Sequence, residues 1–517
     1  MAVKMGLLLL FFAVMIGVGL ACRRQAADVN GFVLGGRSVG PWLTAFAYGT
    51  SYFSAVVFVG YAGQFGWKYG ISATWAGIGN ALIGSLLAWV ILGRRTRIMS
   101  QHLDSATMPQ FFGRRFRSPS LKLAASVIIF IFLIPYTASL YNGLSRLFAM
   151  AFHIDYELCV VIMAALTGIY VVAGGYMATT INDFIQGIIM LFGIVAVIAA
   201  VLSQQGGFLQ ALEGLARVSD PAVSRTPGIF ASFFGPDPVN LLGVVLLTSL
   251  GTWGLPQMVQ KFYAIRSEKA VDAGTVISTV FALVVAGGCY FLGGFGRLFS
   301  DRVDVDAQGY DAIIPAMLSG LPDLLLALVI ILVLSASMST LSSLVLTSSS
   351  TLTLDLLKDR IWPDMSEKRQ LFTMRLLLVV FIAVSVVLSI VQYRANLAFI
   401  AQLMGISWGA LAGAFLAPFL YGLYWKGVTA AACWVSFLFS TGLMTANIIF
   451  RPLFPVLLRS PINAGAFCMA AGLVLVPLVS LITPKPPRAL VEEAFSCYDK
   501  QVLVPQTQAL GNGNSVQ

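Results

Sequence analysis

Long apolar runs separated by short polar or basic stretches dominate this chain. A helix needs about 20 apolar residues to cross roughly 30 Å of hydrocarbon, and runs of that kind predict thirteen crossing helices. They fall near Met5–Leu20, Trp42–Tyr61, Ile71–Leu92, Leu121–Phe148, Leu158–Met177, Phe184–Leu202 and Leu241–Phe262. The others are Val276–Phe299, Leu324–Leu357, Leu371–Tyr393, Leu397–Tyr424, Val428–Phe450 and Ala464–Ile482. In the first run the charge of Cys22-Arg23-Arg24 follows the apolar segment, the reverse of a secretory signal, so it reads as a retained helix. The pattern predicts an all-α integral membrane protein: one transmembrane domain over 1–484, then a polar tail over 485–517. The last residues, Gly511–Gln517, read as disordered.

Basic residues gather in alternate connections, and this sets an orientation. Arg23, Arg24 and Arg37 form one group, and Arg94, Arg95, Arg97, Arg114, Arg115, Arg117 and Lys122 the next. Lys261, Arg266 and Lys269 follow, then Lys358, Arg360, Lys368, Arg369 and Arg375, then Lys426, then Lys485, Arg488 and Lys500. With these in the cytoplasm, the N-terminus lies outside and the C-terminus inside. The net charge of +10 is then a topology signal and needs no nucleic-acid partner. The segment Asp301–Asp311, with four carboxylates, reads as a lid on the outer surface.

Composition narrows the class further. Hydrophobic residues make up 58% of the 517 residues and charged residues only 10%, where globular domains carry roughly 25% charge. Mean hydropathy is +0.86. A soluble enzyme, a nucleic-acid binder and a disordered scaffold are excluded. The six cysteines (Cys22, Cys159, Cys289, Cys433, Cys468, Cys497) have no zinc or disulfide spacing. His102 and His153 are too few for histidine-rich metal catalysis, and no phosphate-binding G-x-x-x-x-G-K-[ST] loop occurs.

Polar residues at membrane depth are costly and mark function. Asp183 ends the run Gly174-Gly175-Tyr176-Met177-Ala178-Thr179-Thr180-Ile181-Asn182-Asp183; it either caps the helix that begins there or binds a cation. The run Ser335-Ala336-Ser337-Met338-Ser339-Thr340-Leu341-Ser342-Ser343 lies deep in an apolar helix. It places Ser339, Ser342 and Ser343 on one face, with Thr340 about 100° round from Ser339. Hydroxyls there offer oxygen to a hard cation or small surfaces for helix packing. Two spans look interrupted: Ala47-Tyr48-Gly49-Thr50-Ser51-Tyr52-Phe53-Ser54 and Leu250-Gly251-Thr252-Trp253-Gly254-Leu255-Pro256-Gln257. They read either as a proline kink or as paired broken helices of a transporter. Lying five spans apart, they fit two inverted five-helix repeats, about 42–203 and 240–424.

Three separated motifs resemble the sodium:solute symporter family. They are Phe32-Val33-Leu34-Gly35-Gly36-Arg37-Ser38-Val39-Gly40-Pro41-Trp42-Leu43-Thr44-Ala45, Gly174-Gly175-Tyr176 followed by Asn182-Asp183-Phe184-Ile185-Gln186-Gly187, and Met338-Ser339-Thr340-Leu341-Ser342-Ser343. The resemblance spans roughly residues 1 to 485 in consistent order. It implies a LeuT-type core with extra helices at both ends. It also implies a sodium site on the carbonyls of Thr50, Phe53 and Ala336 and the hydroxyls of Ser339 and Thr340. A second sodium site, found in some members, would fall on Asp183, Ser339, Ser342 and Ser343. The chain departs from proline-symporter-like branches, which have an aspartate in place of Tyr52 and aromatics in place of Thr248 and Thr252.

The sequence places no lysine or arginine at mid-membrane in the core; Arg146 and Arg297 lie towards outer helix ends. Candidate solute contacts are Tyr52, Ser54, Thr252, Trp253, Tyr136, Tyr141, Asn142 and Gln402, each of which also fits core packing. A solute carboxylate would be met by the positive ends of the broken helices. The expected function is secondary active symport of sodium with a small organic solute, an amino acid or small carboxylate, by alternating access. A proton-coupled permease with Asp183 as carrier, and a membrane sensor or channel on the same fold, are the alternatives. Partners are then the solute, sodium and the lipid bilayer, in a plasma membrane of bacterial type, with no enzymatic activity.

Overall fold

The computed structural model describes residues 2–152, 155–395 and 400–498, with the backbone alone for residues 2–5, 52, 146 and 149–152. His153, the start of the Leu397–Tyr424 run and Gly511–Gln517 lie outside the described residues. The described residues form helices joined by short connections, with no strand. The main elements are α1 (Ala2–Ala21), α2 (Pro41–Tyr52), α3 (Ala62–Tyr69), α4 (Arg94–His102), α5 (Pro119–Phe152) and α6 (Tyr156–Ser203). Next come α7 (Pro238–Gly254), α8 (Pro256–Ala264), α9 (Glu268–Gly293), α10 (Asp323–Thr351) and α11 (Glu367–Ala395). The chain closes with α12 (Ile400–Tyr424), α13 (Ala430–Ile449), α14 (Pro461–Ile482) and a short α15 (Arg488–Phe495). Local chemistry sets many starts: proline at the first turn of α2, α7, α8 and α14, and side-chain caps from Asp237, Ser267 and Thr429.

Ten of the described helices are long and apolar enough to cross a membrane, or eleven if the bent pair α7–α8 is one span, against the thirteen expected. The difference lies in spans that run together. Val56–His102 and Tyr156–Ser203 are 47 and 48 residues long, about 70 Å if straight, twice what a bilayer requires. Each is interrupted by a glycine with positive φ, Gly70 at 64° and Gly175 at 55°, a conformation an L side chain resists. A methyl group at Gly70 would overlap the Phe230 carbonyl, and one at Gly175 would sit 2.8 Å from the Phe32 ring.

Basic groups that the sequence assigned to one side gather at one end of the bundle. Arg37 donates to the carbonyls of Ser105 (2.7 Å) and Tyr263 (3.2 Å), and Arg97 to that of Ile265 (2.5 Å). Buried Arg115 donates to the Gly422 carbonyl at 3.0 Å. The tail docks here: the Glu493 carboxylate pairs with Arg117 at 2.6 Å, and the Arg115 guanidinium stacks over Phe495 at 4.8 Å. The tail through Tyr498 is therefore structured, because its apolar face covers this cationic end. At the other end Arg297 bridges Asp220 (2.9 Å) and the Trp67 carbonyl (2.6 Å), and the guanidinium holds the Asp220 carboxyl below the usual carboxylate range. Asp311 is buried and accepts a hydrogen bond from the Ile400 amide at 3.3 Å. That part of the acidic loop is anchored in the bundle and is not a free lid.

Candidate cation and solute site

Two helices break at one extended residue each. α2 ends at Phe53, with φ −86° and ψ 122°, and α7 ends at Leu255, with φ −79° and ψ 124°. Leu255 precedes a proline, whose ring pushes it out of the helical region, and the two parts then diverge by 45°. No proline follows Phe53. There the carbonyls freed by the break turn to α10 instead.

The Thr340 hydroxyl lies 3.2 Å from the Thr50 carbonyl, 3.3 Å from that of Phe53 and 3.1 Å from that of Ala336. One hydroxyl proton serves one acceptor at a time, so three such neighbours are more than its own hydrogen bonding requires. The spacing is close to that of oxygens sharing a hard cation: bonds of about 2.3–2.6 Å put adjacent ligands roughly 3.3–3.7 Å apart. Ser339 completes the group, its Oγ donating to Thr50 Oγ1 at 2.7 Å. All five residues are buried. The structure thus brings Thr50, Phe53, Ala336, Ser339 and Thr340 together around one break.

Asp183 faces Ser339 of this group. It is buried two turns inside the second half of α6, which restarts after Gly175. It does not cap a helix: the break falls at the glycine, where positive φ is tolerated, and not at the aspartate. Its carboxylate faces the Ser339 hydroxyl and the Lys261 ammonium, with no close, well-aligned hydrogen bond to either. Lys261 Nζ stands 3.7 Å from Asp183 Oδ2 and donates to Ser343 Oγ at 3.0 Å. Ser343 Oγ in turn lies 2.9 Å from Ser51 Oγ in the last turn of α2. The Ser342 hydroxyl folds back onto the Ser339 carbonyl at 2.8 Å.

Lys261 is a buried basic residue where a solvent-facing connection was expected. It is 1% exposed, on a helix all nine of whose residues are buried. Alternation of basic loops assigned it to a cytoplasmic connection. The available signal was its context, Met258-Val259-Gln260-Lys261-Phe262-Tyr263, uncharged on both sides and five residues short of the first exposed charge at Arg266.

The solute candidates divide. The Tyr136 hydroxyl faces Ser54 and Trp408, with the two rings edge-on at 5.9 Å. Tyr290 faces Asn80 and Thr248, and Tyr61 stands near both tyrosines. Polar atoms of Ser54, Tyr61, Asn80, Tyr136, Tyr290 and Trp408 are buried and face one another without closing into well-formed hydrogen bonds. A buried polar group left unmet costs about 1–3 kcal/mol, and these six gather beside the first break. Sequence reasoning missed Tyr61, Asn80, Tyr290 and Trp408, which look like ordinary aromatic and small-polar core positions. A cavity of about 610 Å³ at the end that holds the Arg297–Asp220 pair is lined by Gln64, Asp220, Asn240, Arg297, Tyr310 and Asn463, among others. Gln64 stands one turn from Tyr61 on the same strand of helix.

The remaining candidates lie as follows. Thr252 donates to the Gly84 carbonyl at 2.8 Å and the Trp253 indole to the Ile83 carbonyl at 2.9 Å. Both tie α7 to the 80–87 segment, which also carries Asn80. Tyr141 is buried towards Tyr170, Asn142 is buried, and Gln402 is half-buried in the first turn of α12. The Tyr52 side chain lies outside the described residues.

Comparison with known proteins identifies the family and the fold. The sequence profile of the sodium:solute symporter family matches residues 32–439. The osmoregulated proline transporter OpuE of Bacillus subtilis is 28% identical over 93% of this chain and 95% of its own length. A sodium/proline symporter of Staphylococcus aureus is 28% identical over 81% of each chain. Among solved structures, a Na⁺-coupled sialic acid symporter superposes with a TM-score of 0.73 at 15% identity, covering 94% of this chain and 99% of that one. Mhp1, a nucleobase-cation-symport-1 family transporter, gives 0.50 at 15% identity, covering 89% and 97%. The fold is therefore of the LeuT type, a multi-pass membrane transporter core. With the family profile running through both broken helices and the hydroxyl-rich face of α10, the chain belongs to the sodium:solute symporter family and couples solute transport to sodium.

Proposed function

We propose that the transported sodium is held by the carbonyls of Thr50, Phe53 and Ala336 and the hydroxyls of Ser339 and Thr340. The solute, a small amino acid or carboxylate, would sit among Ser54, Tyr61, Asn80, Tyr136, Tyr290 and Trp408. The observation that carries the reading is the Thr340 hydroxyl within 3.1–3.3 Å of three carbonyls beside a helix break. A cation there replaces water with five oxygens and stiffens the break. The adjoining polar groups then meet the solute in a defined geometry, and the repeats, about 42–203 and 240–424, rock around both. The named relatives carry proline, so proline is the first solute to test. The neutral character of the cluster fits a zwitterion whose carboxylate is met by helix N-terminal amides. The protein sits in a bacterial plasma membrane with its N-terminus outside and its arginine-rich end and tail in the cytoplasm.

Uptake of labelled proline into proteoliposomes, with sodium and proton gradients imposed separately, tests this reading. Uptake is expected to follow the sodium gradient alone, and uptake driven only by protons would overturn it. Tyr136→Phe and Trp408→Phe are expected to reorder a panel of competing amino acids and small carboxylates. Lost or altered pocket contacts change relative affinity by about 1–3 kcal/mol. The sodium concentration for half-maximal uptake should move less. An unchanged order in both variants would place the pocket elsewhere.

A further inference from the structure

Asp183 and Lys261 are both about 1% exposed, and their separation of 3.7 Å is longer than the roughly 2.7–2.9 Å of a direct charged hydrogen bond. The ammonium is instead fastened to Ser343 at 3.0 Å, with the Tyr176 ring 5.2 Å away. One carboxylate with hydroxyls grouped beside it is a donor set that suits a small cation. Here that set already faces a cation, supplied by the chain. A mobile sodium in the same place would have to share one carboxylate with a fixed ammonium, two like charges with little water between them.

We propose that the Lys261 ammonium is a resident cation that takes the place of a second sodium beside Asp183, so that one sodium is bound and carried per cycle. The proposal rests on the reading of the Thr340 cage as the transported sodium site. The lysine neutralises Asp183 without crossing the membrane, and it contributes nothing to the driving force. Its tether does add a mechanical link. Lys261 lies on α8, just past the second break. Through Ser343 of α10 it reaches Ser51, the neighbour of Thr50 in the first cage. The two broken helices are thereby joined across α10 by a chain of three side chains, whatever the solute.

An ordinary buried ion pair differs from a substitute for sodium in one respect. Removing its lysine leaves a stranded carboxylate, but creates no sodium site. Radioactive sodium binding to the purified full-length protein in lipid nanodiscs, without solute, separates the two. Wild type is expected to bind one sodium per chain, Lys261→Ala two, and Lys261→Ala with Asp183→Asn one. Two sodium ions in wild type would overturn the proposal, and that measurement needs no variant to fold. A single sodium in folded Lys261→Ala, or in Lys261→Gln should the alanine variant fail to fold, would overturn it as well. Failure of the cage reading shows differently: Thr340→Ala would then still bind the one sodium of wild type.

Discussion

Thr340→Ala is expected to raise the sodium concentration for half-maximal uptake about tenfold or more. The Thr340 oxygen is the point on which the carbonyls of Thr50, Phe53 and Ala336 converge, and alanine removes it. A charge-assisted contact is worth about 1.5–3 kcal/mol, which is roughly one to two decades in affinity. The loss should be larger than for Ser339→Ala, since there the Thr50 hydroxyl that accepts from Ser339 remains beside the cage. Thr340→Ser keeps the oxygen and loses only a methyl group, so it should restore most of the sodium affinity. Sodium titrations of uptake in all three variants, corrected for the amount inserted, make the comparison. If Thr340→Ala leaves the sodium dependence unchanged, these hydroxyls serve helix packing only.

Gly66→Ala is expected to abolish a monodisperse, folded protein, while Gly442→Ala should be neutral. α3 crosses the end of α9 backbone to backbone: a methyl group at Gly66 would overlap the Gly293 carbonyl, and one at Gly293 that of Ala62. Gly77 makes a similar approach, its added carbon falling 2.5 Å from the Gly287 Cα. Small residues allow such contact where lipid provides no hydrophobic drive for association. Forcing extra volume into packed interiors costs about 1–3 kcal/mol when side chains can move aside; here the obstacle is backbone, so the helices must separate. At Gly442 nothing lies within 4 Å of the added carbon. Size-exclusion profiles and thermal midpoints of the purified proteins would compare them. A Gly66→Ala protein as stable as Gly442→Ala would mean this crossing is looser than described.

The consequence reaches the site. α3 continues the chain beyond the first break, so its seat on α9 fixes one side of the cluster that holds Ser54, Tyr61 and Tyr290. The same logic explains why a glycine and not a larger residue stands at Gly251, where an added carbon would lie 2.5 Å from the Trp408 ring.

Much about this protein follows from properties that are local along the chain. Spans are legible because a bilayer selects runs of apolar residues by length. The second break is legible because Pro256 acts on its own backbone, and the first because Thr50, Ser51 and Ser54 are polar for mid-membrane. The hydroxyl-rich stretch around Ser339 and Thr340 is conspicuous in an apolar helix, so the cage residues could be named with the help of family likeness. Family likeness was needed for Thr50 and Phe53, which act through carbonyls that every residue possesses. Other features depend on which helix faces which, and periodicity within one helix carries no such information. Thr252 and Trp253 lie beside a break, yet rotation of α7 turns their polar atoms to the carbonyls of Gly84 and Ile83. Asp183 belongs to the middle of a helix because Gly175, eight residues earlier, absorbs the turn. Lys261 reads as one more member of a basic loop until α8 is seen packed between α2 and α10. Only that packing withdraws its ammonium from water and brings it to Asp183 and Ser343, residues 78 and 82 positions away in the chain.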